Sequence, residues 1–177
     1  MNLKDLYKKR SLKEYIAYVL IIIGAVALDQ LTKWLAVKYL QPIDTLPIIN
    51  GVIHLTYVEN PGAAFGMMKG MPWIFNTISS IMIVVLSLYL FLGHSQNKLY
   101  TVALTFIIAG GIGNMIDRIS LHYVVDFIDF RLINFAVFNG ADSFVCVGAG
   151  FMMLALILDL IKEYKGSKNK TDMENER

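Results

Sequence analysis

Four long apolar runs divide the chain, at residues 15–37, 71–93, 99–119 and 141–161. Each is long enough to cross a hydrocarbon core of roughly 30 Å, which takes about 20 helical residues. Between them the pattern changes. Residues 38–70 mix apolar and polar positions and hold Pro42, Pro47, Gly51, Pro61, Gly62 and Gly66, which break long helices. Within this segment Val52-Ile53-His54-Leu55-Thr56-Tyr57-Val58 is β-branched and aromatic, the pattern of a short strand. An extended partner over residues 46–49 would reach it through a tight Asn50-Gly51 turn. Residues 120–140 form a second mixed segment, strand-like over 123–127. Residues 94–98 are a short polar loop, so the second and third runs are antiparallel neighbours.

This pattern predicts a membrane α-helical fold: four transmembrane helices with a small β-sheet outside the membrane. A basic arm at 1–14 precedes the single transmembrane unit at 15–161, and a charged tail without fixed structure follows at 162–177. The first run is read as a span and not as a cleaved signal peptide. It is too long, and Asp29, Gln30 and Lys33 stand where a small-residue cleavage site would be needed.

Composition agrees. Of 177 residues, 56% are hydrophobic and 17% charged, against about 45–50% and about 25% in a soluble domain. The single cysteine, Cys146, excludes an internal disulfide and a cysteine-based metal cluster. Charge placement gives orientation. The N-terminal arm carries Lys4, Lys8, Lys9, Arg10 and Lys13, and the tail carries Lys162, Lys165, Lys168, Lys170 and Arg177. The mixed segments hold only Lys38, Lys69 and Arg131. Basic residues stay on the cytoplasmic side, so both termini are expected there and the mixed segments outside.

Ionisable residues inside apolar runs are expensive and mark candidate sites. Asp29 and Lys33 are four apart and share a helix face. They read as a buried ion pair or as a pair that also touches a ligand. Asn114, Asp117 and Arg118 lie in the third run, where Asp117 and Arg118 are expected to clamp the outer loop. Gly110, Gly111 and Gly113 sit mid-span with no strand before them. They suit close helix packing better than phosphate binding.

Asp126 and Asp142 are the acidic pair that can carry chemistry. Asp126 is flanked by Val124, Val125, Phe127 and Ile128; Asp142 lies in the first turn of the fourth run after Asn139, a candidate cap. Both belong near the outer membrane face. Two carboxylates brought together in a partly apolar site cannot both ionise easily, which makes one an acid and the other a base. The alternative is a capping carboxylate at Asp142 and a satisfied structural one at Asp126. Asp129, three residues beyond Asp126 on an extended segment, should face the other way. A rival function, an ion-binding transporter, would use Asp126, Asp129 and Asp142 as ligands of a hard cation. No His-x-x-x-His spacing is present.

Five ordered motifs carry a resemblance. They are Asp29-Gln30-Leu31-Thr32-Lys33, Asn60-Pro61-Gly62-Ala63-Ala64-Phe65-Gly66, Gly113-Asn114-Met115-Ile116-Asp117-Arg118, Val124-Val125-Asp126-Phe127-Ile128-Asp129 and Phe138-Asn139-Gly140-Ala141-Asp142-Ser143. The chain resembles lipoprotein signal peptidase (signal peptidase II), a bacterial membrane aspartyl peptidase family. The resemblance implies an extracytoplasmic sheet, or cradle, and a short extracytoplasmic helix closing over the site from the 60–70 region. It implies catalysis by Asp126 and Asp142, with Asp29, Lys33, Asn60, Gly62, Asn114, Asp117, Arg118 and Asn139 binding substrate or shaping the pocket. It further implies a diacylglyceryl-modified prolipoprotein as substrate, cleaved before the lipidated Cys in the bacterial cytoplasmic membrane. No metal or organic cofactor and no nucleic acid is expected; membrane lipids surround what is expected to be a monomer.

Overall fold

A computed structural model describes residues 11–62, 72–92 and 97–175. The basic arm up to residue 10 and the expected short helix after Gly62 lie outside the described residues. Among the described residues there are four long helices: α1 (Leu12–Leu35), α2 (Pro72–Phe91), α3 (Lys98–Ser120) and α4 (Gly140–Asn175). Among the described residues three helical stretches, Leu12–Ile43, Lys98–Ser120 and Gly140–Lys168, are long and apolar enough to cross a membrane, and α2 adds the shorter apolar piece Asn76–Phe91.

Helix starts follow local chemistry. Ser11 and Glu14 form a reciprocal capping box at α1, which satisfies amides that have no intrahelical partner. Asn97 caps α3 by accepting from the Leu99 amide at 2.9 Å. The bundle is centred on α3, which packs against the other three helices. Its buried face runs from Thr101 to Asp117 and is rich in small residues. By contrast α1 buries only Ala25, Asp29 and Lys33, one stripe at four-residue spacing. The large apolar side chains of α1, α2 and α4 face outward, as lipid requires; Leu20, Ile81 and Leu154 are examples.

The glycines act at helix crossings. A Cβ on Gly110 would collide with the Ala141 carbonyl oxygen, and one on Gly148 would lie 2.7 Å from the Ala103 carbonyl. These positions let α3 and α4 approach backbone to backbone, the close packing that small residues permit in membranes.

At one end of the bundle sits a three-stranded antiparallel sheet in the order β1 (Thr45–Ile49), β2 (Ile53–Asn60), β3 (Val124–Phe130). The β1–β2 hairpin turns at Asn50-Gly51, where Gly51 has φ +74°, a conformation glycine adopts without strain. β2 and β3 pair with Val58 opposite Asp126 and His54 opposite Asp129. Val125, Ala36 and Leu40 form a small core that fixes the sheet to the end of α1, joined by Leu55 and Phe127. A π-helical turn at Ala36–Leu40 carries the chain out of α1 into this core.

One expectation is corrected. The tail from residue 162 continues as helix to Asn175. No proline follows Pro72, and the tail's Lys and Glu residues propagate a helix already nucleated by the span. High charge alone did not end it.

Candidate active site

The polar residues of the spans converge where α1, α3, β3 and the start of α4 meet. Lys33 is the hub. Its Nζ lies 2.9 Å from Asp29 Oδ2 and 3.0 Å from Asp117 Oδ2, and it donates to Asn114 Oδ1 at 2.9 Å. Those three contacts match the three donors of an ammonium. Asp29, Lys33 and Asp117 are only 1%, 3% and 2% exposed. Buried charges need this degree of pairing.

Each carboxylate also ties down a backbone. Asp29 Oδ1 accepts from the Ala141 amide at 2.7 Å, which anchors the start of α4. A negative charge there is favourable, because helix amides point outward at that end. Asp117 Oδ2 accepts from the Val125 amide at 3.1 Å, fixing β3 to α3. Gln30 Nε2 donates to Asp117 Oδ1 at 2.9 Å and to the Gly113 carbonyl at 3.1 Å. A Cβ on Gly113 would lie 2.6 Å from Asp29 Oδ2, so only glycine leaves room for this pair.

Two asparagines extend the network outward. Asn114 Nδ2 donates to Asp142 Oδ1 at 2.7 Å. Asn139 caps α4: its Oδ1 accepts from the Asp142 amide at 2.9 Å, and its own amide donates to Asp142 Oδ2 at 3.3 Å. The same Asn139 donates through Nδ2 to Asp126 Oδ1 at 2.6 Å and to Asn114 Oδ1 at 3.0 Å. It thus bridges the two aspartates that the sequence set apart. Asn60, from the end of β2, donates to Asp126 Oδ2 at 2.9 Å and accepts from the Gly62 amide at 3.0 Å.

Asp126 and Asp142 line one cavity of about 610 Å³. Asn60, Gly62, Asn114 and Arg118 supply its other polar walls; Phe130, Ile133, Phe138 and Val145 are among its apolar ones. Burial pushes the Asp126 carboxyl up to about 7, the nearby Asp142 charge adds to this, and the bonds from Asn60 and Asn139 oppose it.

Asp129 is elsewhere. Burial alone would raise its pKa, but bonds from Arg131 Nε at 2.9 Å and Thr56 Oγ1 at 2.7 Å hold it below the ordinary range. Among the described residues no three His, Cys, Asp or Glu side chains converge as a metal site.

Of the expected site residues, Asn60, Gly62, Asn114, Arg118, Asp126 and Asp142 border the cavity. Asp29, Lys33, Asp117 and Asn139 stand behind them as supports. Asp117 clamps the strand as expected. Arg118, one residue on and so on a diverging face, borders the cavity instead, and among the described residues it has no ion pair. Gln30 was not foreseen as a support; its place beside Asp29 was the available signal.

The architecture matches solved proteins. One bacterial membrane enzyme solved by the in meso method superposes with a TM-score of 0.77 at 32% identity, covering 87% of this chain and 93% of that one. A second gives 0.73 at 33% identity over 84% and 96%. The fold is therefore that of a helical membrane enzyme. A family model described as signal peptidase (SPase) II matches residues 21–158. The lipoprotein signal peptidase of Caldanaerobacter subterraneus subsp. tengcongensis is 49% identical over 139 residues, 77% of this chain and 94% of that protein. That of Clostridioides difficile is 44% identical over 140 residues, 79% and 94% of the two. The chain belongs to the signal peptidase II family and is a membrane protease.

Proposed function

We propose that the protein removes the signal peptide from diacylglyceryl-modified prolipoproteins, cutting on the N-terminal side of the lipidated Cys, with Asp126 and Asp142 as an aspartic acid–base pair. The observation that carries this reading is the bridge through Asn139: its side-chain amide holds Asp126 and its backbone amide holds Asp142, so that both carboxyl groups stand on the wall of one largely apolar cavity. Asp126, the group burial holds near 7, carries the proton. Asp142, ionised, takes a proton from water. Asp126 donates to the scissile carbonyl oxygen as water adds to the carbon. Collapse of the tetrahedral intermediate then delivers the proton held by Asp142 to the leaving amine, while a hydroxyl of the intermediate returns a proton to Asp126 and becomes the new carbonyl oxygen. The lipid chains and the signal helix remain in hydrocarbon. The enzyme works as a monomer surrounded by membrane lipids. Basic-residue placement supports a topology with both termini in the cytoplasm and the site at the outer face of a bacterial cytoplasmic membrane.

A gel-shift assay on a precursor with and without the diacylglyceryl group tests the substrate. The lipidated form is shortened and the unmodified form is not; equal cleavage of both would contradict the reading. A pH profile tests the acid. Because the protonated Asp126 is required, kcat/KM falls as pH rises through about 7. A profile flat across that range would reassign the acid. Asp129→Asn retains cleavage within a few-fold, since its partners are Thr56 and Arg131 and not the cavity. A loss as deep as that of an Asp126 variant would show that the wrong strand carboxylate was chosen.

A further inference from the structure

Beside the main cavity lies a smaller one of about 180 Å³, less than a third of its neighbour's 610 Å³. Asn60, Gly62 and Arg118 border both. Trp73 and Asn76 of α2 and Tyr123 before β3 also line the smaller cavity. Its walls differ from the hydrocarbon-like lining next door.

Asn76 has an unexplained side chain. Its Oδ1 is buried and has no hydrogen-bond partner. A buried acceptor left unmade is unfavourable, and folded proteins leave such groups mainly where water or a ligand completes them. An extended peptide offers one backbone N–H at each residue, the donor that a lone amide oxygen needs. A chain whose scissile bond lies against Asp126 meets the smaller cavity beside Asn60, Gly62 and Arg118, because those three residues border both.

We propose that the smaller cavity is a subsite for the substrate's polypeptide backbone, separate from the apolar cavity, and that Asn76 sets its selectivity by accepting a hydrogen bond from one substrate N–H. This rests on the peptidase reading above. Asn76 is a positioning and specificity residue; the bond-breaking groups remain Asp126 and Asp142. The contact is made equally in the ground and transition states, so it acts on KM and leaves kcat unchanged.

The experiment uses the full-length protein in lipid nanodiscs and synthetic diacylglyceryl-modified peptides. In each peptide one backbone N–H near the scissile bond, though not the scissile one, is replaced by an ester oxygen. For the unvaried protein one ester position raises KM about five- to tenfold, the effect of one lost hydrogen bond. Asn76→Leu raises KM on the all-amide peptide by the same factor with kcat unchanged, and no longer responds to that ester. Asn76→Ser, which keeps a shorter acceptor, falls between. An Asn76→Leu protein with the original KM, or one that still responds to the ester series as before, overturns the proposal; the first result would mean that the side chain holds only water. Failure of the parent reading shows separately, as cleavage by Asp126→Asn.

Discussion

Asp126→Asn and Asp142→Asn each abolish cleavage of a lipidated precursor, lowering turnover by at least about 10⁴-fold, as loss of one member of a catalytic unit does. The structure says why the fold survives. Asp126 accepts from Asn60 and Asn139, one bond on each oxygen. An asparagine retains one acceptor, so one donor loses its partner at a cost of about 1–3 kcal/mol. Asp142 likewise accepts from Asn114 and from the Asn139 amide, and the same argument applies. Membrane insertion and a cooperative thermal transition are therefore kept. The double variant is no worse than either single one, because the two groups act together. Turnover by either purified variant would remove the acid–base pair from the account.

Lys33→Met has the largest effect on stability. It leaves Asp29 and Asp117 facing each other in the protein interior with no counter-charge. Removing one partner of a buried ion pair costs about 3–5 kcal/mol. Here the loss spreads, because Asp29 holds the start of α4 and Asp117 holds β3. The Asn114 carbonyl also loses its cationic donor, one bond away from Asp142. The melting temperature in detergent falls sharply, and activity falls with it. Adding Asp117→Asn to Lys33→Met removes one stranded charge and restores part of the stability. A Lys33→Met protein that melts with the unaltered one would mean that the three charges are not a structural unit.

The elements legible in the sequence were those with strong local signals. Run length marked the helices, and the β-branched stretch with Asn50-Gly51 marked the β1–β2 hairpin. Spacing placed Asp29 and Lys33 on one face. Asp117, their third partner, comes from another helix, and no local pattern could pair it with them. The π-helical turn at Ala36–Leu40 was equally hidden, since it answers to the sheet, whose Val125 packs on Ala36 and Leu40. The helical tail was misread because its charges suggest solvation while its residues still favour helix.

In the site, the asymmetry is similar. Asn139 was legible as a cap from its position before Asp142. Its second task, bridging to Asp126, depends on β3 meeting the start of α4. That meeting is fixed by Phe138, whose carbonyl accepts from the Ile128 amide at 2.7 Å and whose amide donates back at 3.0 Å. Such a pairing between distant segments leaves no periodic trace. The pattern marks Gly110, Gly111 and Gly113 as packing residues, and Gly110 serves as such at the crossing of α3 and α4. Gly113 does more, since the space beside it admits the Asp29 carboxylate.

Difference infrared spectroscopy locates the proton on which the mechanism turns. In the protein reconstituted in lipid, a protonated-carboxyl band is expected to fade as pH rises through about 7, to be missing in Asp126→Asn and to persist in Asp129→Asn. A band that survives unchanged in Asp126→Asn, or the lack of any carboxyl titrating in that range, would contradict a proton held by Asp126.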